Sequence, residues 1–196
     1  YKWRTTMANE STTGFGMRPL RMVGQSDDNS GLGEFHVAAS STIIYHHDPV
    51  LTATSGYITV SAASSGANYA GVLNGSFYVD PTTSKPTWSN YAPSVAAEQN
   101  VLLISNPQAM YEVRTASSTP GRTSIGGTAD IVYTAGAAPN YVSRVTMSGT
   151  VTTTITLPIK VMGISRDPLN QDTSAAGCVY RVLLNANIWG NNVAGI

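Results

Sequence analysis

The sequence predicts an all-β fold, a β-sandwich or β-barrel preceded by an extended N-terminal arm. Three observations lead there. Short runs of β-branched and aromatic residues recur from Glu34 onward, separated by Gly, Pro, Asn, Asp and Ser, which is the spacing of sandwiches and barrels. Apolar and polar residues alternate within several runs, as on a half-buried strand. No helical period extends beyond two turns.

Residues 1–33 are expected to form the arm and residues 34–196 a single β domain. The arm carries Gly14, Gly16, Gly24, Gly31 and Gly33, with scattered anchors at Trp3, Phe15, Met17, Leu20 and Met22. Ordering such a segment costs roughly 1–2 kcal/mol per residue in backbone entropy. Burying an anchor such as Trp3 returns about 5 kcal/mol. An ordered arm therefore needs a surface: its own domain, a sibling subunit or a partner. Met7 opens a stretch that reads as a natural translation start, so residues 1–6 are expected to lie upstream of it.

The strand candidates then follow in order: EFHVA, STIIY, GYITVS, YAGVLNGSFYVD, PTWSNY, VLLIS, AMYEVRT, ADIVY, TVTTTITLPIKVMGIS and CVYRVLLNANI. Between Gly71 and Pro93 the chain reads as strand, turn, strand. Phe77, Tyr78 and Val79 precede a turn of Asp80, Pro81, Thr82, Thr83, Ser84, Lys85 and Pro86, and Trp88 and Tyr91 follow it. Aromatics placed in this way can pair across strands, each good pair adding roughly 0.2–1 kcal/mol. In the Thr-rich run, Val151, Thr153, Ile155 and Leu157 alternate with threonines, which predicts one long strand. Helical signals are limited to a turn that Ser94 is placed to cap and another within TSIGGTAD.

Eleven basic and eleven acidic residues cancel, and charged residues make up 11% of the chain, against about 25% in ordinary domains. Such a surface offers no broad positive field, so nucleic acid and anionic membrane are not expected partners, although Lys2, Arg4, Arg18 and Arg21 are locally basic. One cysteine, Cys178, excludes an internal disulfide framework. No run of about 18 apolar residues is present for a membrane helix, and the start lacks the apolar core of a secretion signal. Synthesis in the cytoplasm is the expectation.

No Gly-x-Ser-x-Gly elbow surrounds a serine, and GRTSIGGT lacks the lysine of a P-loop. His46 and His47, as strand neighbours, are expected on opposite faces and so not to share a metal ion. Neither a catalytic residue, a metal nor a cofactor is expected. The residues expected to make contacts are Trp3, Arg4, Phe15, Arg18, Arg21, Trp88, Tyr91 and Trp189, because aromatics supply much contact area at little entropy cost.

In order along the chain, GFGMRPLR (14–21), HHDPV (46–50), GVLNGSFYVDPTTSKPTWSNYAP (71–93), LLISNPQAMYEVRT (102–115), GGTADIVY (126–133), LPIKVMGISRDPLN (157–170) and VYRVLLNANIW (179–189) cover most of it. The series resembles the head decoration, or capsid cement, proteins of tailed phages. Relatives in that family tend to carry Gly before the Asp-Pro, where this chain has His47. They also differ around Asn187-Ile188-Trp189. The resemblance implies a non-enzymatic structural protein of the virion on the outer capsid surface, bound to the major capsid protein where subunits meet, and a homotrimer there. A carbohydrate-binding or adhesin-like module of a phage particle is the alternative, using Trp88, Tyr91 and Trp189 as sugar platforms.

Overall fold

The computed structural model describes residues 9, 13–23, 32–60, 68–116, 120–168, 170, 172–173 and 175–191. It is almost entirely β. Two antiparallel sheets pack face to face as a sandwich, and the one helical turn among the described residues is a 3-10 turn at Arg122–Ser124. The turn expected after Ser94 is not helical.

Sheet A has the order β1 (Arg18–Met22), β8 (Ala109–Arg114), β12 (Val179–Leu184), β11 (Ile159–Ile164), β9 (Thr128–Val132), β10 (Thr146–Thr152). Sheet B is organised around β5 (Tyr69–Val79). One edge of β5 pairs with β3 (Pro49–Thr52) and then β6 (Pro86–Ser89); the other meets β13 (Ala186–Asn187) and then β7 (Gln99–Ile104). Outer strands β2 (Leu32–Val37), β4 (Ile58–Val60) and β14 (Gly190–Asn191) complete it.

The alternating pattern explains two apolar clusters. Tyr111, Val113, Ile159, Val161, Tyr180 and Val182 of sheet A meet Tyr69, Val72 and Ile104 of sheet B between the sheets. The Tyr111 hydroxyl donates to the Ile104 carbonyl at 2.9 Å and so satisfies its polar end inside that core. On the far face of sheet B, Val37, Val50, Ile58, Ala70, Leu73, Val101 and Leu103 form a second cluster, roofed by Ile44 and Ala92. Those two roof residues exchange backbone hydrogen bonds of 3.0 and 2.9 Å.

Residues 13–23 of the expected arm lie on the domain itself. Met17 is fully buried in the inter-sheet core, and β1 is the edge strand of sheet A. Of the three surfaces open to an arm, this segment takes its own domain, and the boundary drawn at residue 33 falls inside β2. The long strand expected through the Thr-rich run is corrected: β10 stops at Thr152 and β11 begins at Ile159, with β9 between them in the sheet. The break is held by side chains. Thr128 donates its hydroxyl to the carbonyls of Thr152 and Thr154, and Asn185 donates to those of Ile155 and Leu157. Pro158, which has no N–H to offer a ladder, ends the excursion.

Candidate interaction surface

The hairpin of β5 and β6 forms as the turn chemistry predicts. Asp80 accepts the amides of Thr82 and Thr83 at 2.7 and 3.1 Å, and its own amide donates to the Lys85 carbonyl at 3.0 Å. This closure sets Phe77 opposite Trp88 and Val79 opposite Pro86. A β-bulge at Asn74 sits between Leu73 and Gly75. Through that extra residue, Gly75, Phe77 and Val79 continue the face on which Val72 enters the inter-sheet core.

That face runs past the end of sheet A and is left uncovered. Phe77 is 49% exposed, Val79 51%, Trp88 51% and Leu32 45%. Phe77 and Trp88 stand directly opposite each other with Val79 two residues on along the same face, whereas Leu32 lies on that face two strands away, with Glu34, His36 and Asn100 between. Trp88 is not loose on it: a Cβ on Gly75 would lie 2.4 Å from the indole, so the ring rests on the bare glycine backbone. Glu34 lies between Leu32 and His36 on that face, and Glu98 stands 3.3 Å from His36.

The other expected contact residues separate onto different surfaces. Phe15 lies between two guanidinium groups, Arg18 at 4.8 Å and Arg114 at 5.2 Å from its ring centre. Arg18 pairs with the buried Glu112 at 2.6 Å. A bulge between Pro19 and Arg21 brings Arg18 and Arg21 to the same outer face of sheet A. Tyr91 stacks on Tyr141 at 4.0 Å with rings 4° from parallel, and Tyr45 continues the stack at 6.5 Å. Desolvation, then the neighbouring Tyr141, holds the Tyr91 hydroxyl above its ordinary pKa. Trp189 is 59% exposed at the turn between β13 and β14. Trp3 and Arg4 lie outside the described residues. Leu32 and the arginines Arg122, Arg166 and Arg181, absent from the expected contacts, also line exposed surfaces.

The opposite-face expectation for His46 and His47 is overturned. His47 has φ 68°, the left-handed backbone that glycine takes most easily. Strand alternation fails there, and the two rings lie 3.8 Å apart. Among the described residues no three His, Cys, Asp or Glu side chains group as metal ligands. Burial, then the His46 charge, lowers the His47 pKa to about 4. Burial raises the Asp48 pKa to about 6; the Ser143 hydroxyl and the Tyr45 amide offset it only in part, and Asp48 Oδ1 closes no hydrogen bond.

These two groups act oppositely on stability. Asp48 binds its proton more tightly folded than unfolded, so its contribution is present below its ordinary value of 3.8 and lost as pH rises through about 6. His47 binds its proton less tightly folded, so its contribution is present above 6.5 and lost as pH falls to about 4. Each displacement corresponds to about 3 kcal/mol. Asp48→Asn is therefore expected to be more stable than the parent at pH 7 and to lose that advantage by pH 4. His47→Asn, which tolerates the left-handed backbone, gains relative to the parent as pH falls from 6.5 to 4. Thermal melts across this range check both, and pH profiles parallel to the parent would contradict the assignment.

No protein-family model, curated protein or solved structure matches the chain.

Proposed function

We propose that the chain is a structural protein of a phage virion that binds the outer capsid surface and cements the lattice of the major capsid protein, with binding energy and no chemical step as its mechanism. The observation that carries this reading is the uncovered apolar face of Phe77, Val79 and Trp88 on the β5–β6 hairpin. A contiguous apolar patch on rigid strands marks a contact surface. Its exposed part is on the order of 300 Å², worth about 7 kcal/mol before the entropy cost of association. The ordered series of segments resembling capsid cement proteins supports the same reading, and so does His47. Its left-handed backbone suits the glycine that the resembled family tends to carry at that place.

Cementing follows by linkage, because a protein that binds only the assembled lattice stabilises it according to its concentration over Kd. Three copies around a threefold position of the lattice is the arrangement the resemblance implies. Purified chain mixed with heads that lack it is expected to sediment with them in stoichiometric amounts. Phe77→Ser with Trp88→Ser is expected to weaken attachment at least 100-fold while the domain stays folded, its stability lowered by about 2–4 kcal/mol because half of each side chain is buried. Absence of parent attachment, or undiminished attachment of the variant, overturns the proposal. Images of decorated heads with single copies, pairs or sixfold clusters overturn the trimer.

A further inference from the structure

We propose that a groove on the outer face of sheet A binds an acidic protein segment whose carboxylates alternate with apolar side chains. The groove encloses about 540 Å³ and is walled by Arg21, Arg122, Arg166 and Arg181. These residues are far apart in sequence. β1 supplies Arg21 through its bulge, the 3-10 turn supplies Arg122, the chain just beyond β11 supplies Arg166, and β12 supplies Arg181.

Among the described residues, three of the four charges are gathered without an ion pair, and only Arg181 has a carboxylate within reach. Arg21, Arg122 and Arg166 are exposed, and none forms an ion pair with a described residue. Glu112, the carboxylate beneath them, is occupied: Oε2 accepts from Arg18 at 2.6 Å and Oε1 from the Ser165 hydroxyl at 2.6 Å. Arg181 is left with a buried Nε that closes no hydrogen bond, 3.9 Å from that same Oε1. Asp167 is the one carboxylate in the groove lining, against four guanidinium groups, and it already has a partner. Like charges collected in a concave wall focus a positive potential, which an incoming anion relieves. Guanidinium groups present planar forks matched to carboxylates.

Between the cations stand Ile125 and Met162, 42% and 37% exposed. A peptide with apolar residues beside its acids covers both kinds of surface, whereas a sugar-phosphate backbone would leave the two apolar side chains wet. The chain is also neutral overall, so it lacks the long-range field that draws nucleic acid.

The test uses the purified chain alone, so its outcome is separate from capsid attachment. A dye-labelled twelve-residue peptide alternating Glu and Leu is titrated by fluorescence polarisation, beside a Gln-for-Glu peptide and a twelve-nucleotide single-stranded DNA. Saturable binding that weakens with salt is expected for the Glu peptide, at least 10-fold tighter than for either comparator. Arg122→Gln with Arg166→Gln is expected to weaken it at least 10-fold, and Arg21→Gln with Arg122→Gln likewise. Arg144→Gln, an exposed arginine outside this groove, leaves it unchanged. No saturable binding, equal binding of the Gln peptide, tighter binding of DNA, or indifference of both folded double variants overturns the proposal.

Discussion

Glu112→Ala is expected to lower stability by about 2–4 kcal/mol, less than breaking a wholly buried ion pair because its Arg18 partner is half exposed. In a chain of this size that lowers Tm by roughly 10 °C. The carboxylate is 7% exposed, accepts from Arg18 and Ser165, and lies 3.9 Å from Arg181. Alanine leaves the Ser165 hydroxyl proton without its acceptor and the largely buried Arg181 without its counter-charge. Glu112→Gln keeps the shape and one accepting oxygen, so it should lose about half as much. Thermal and urea denaturation of the two variants check the order, and an alanine variant as stable as the parent contradicts it.

Gly71→Ala is expected to cost about 3 kcal/mol or more for a different reason. A Cβ there would lie 2.5 Å from the Ile104 carbonyl oxygen and 3.0 Å from both the Ile104 carbonyl carbon and the Ser105 Cα. All three are backbone atoms, so no rotamer change gives way, and β5 must move away from the end of β7 beside the Val72–Ile104 pair. Gly56→Ala is the comparator, because nothing lies within 4 Å of a Cβ at that position. Its left-handed backbone, φ 84°, still costs about 1 kcal/mol. Equal losses for the two variants would falsify the close-approach argument.

How much of this was legible in the sequence depended on whether the signal was local. The β5–β6 hairpin could be read because Asp80 and the prolines mark the turn within a few residues of the aromatics they align. The exposed face on that hairpin could not. Strict alternation puts Val72 and Phe77 on opposite faces, and only the bulge at Asn74, which has no reliable local signature, joins them. The same limit applied to His46 and His47, where one left-handed residue cancelled alternation. The Thr-rich run kept a strand pattern through Leu157, yet distant Thr128 and Asn185 hold residues 152–157 out of the ladder. The arginine groove was invisible because its walls come from four segments, and a neutral total charge conceals their convergence.

β5 belongs to both apolar clusters. Tyr69 and Val72 enter the core between the sheets, while Ala70 and Leu73 enter the cluster beyond sheet B. Neither cluster can melt alone without breaking the ladders of the strand that the other is built on. Unfolding is therefore cooperative across the described domain, with one thermal transition and the slowest amide exchange along β5 and β7. The far end of that strand carries Phe77 and Val79, so a partner gripping the hairpin restrains the fraying of a single element and, through it, protects both interiors.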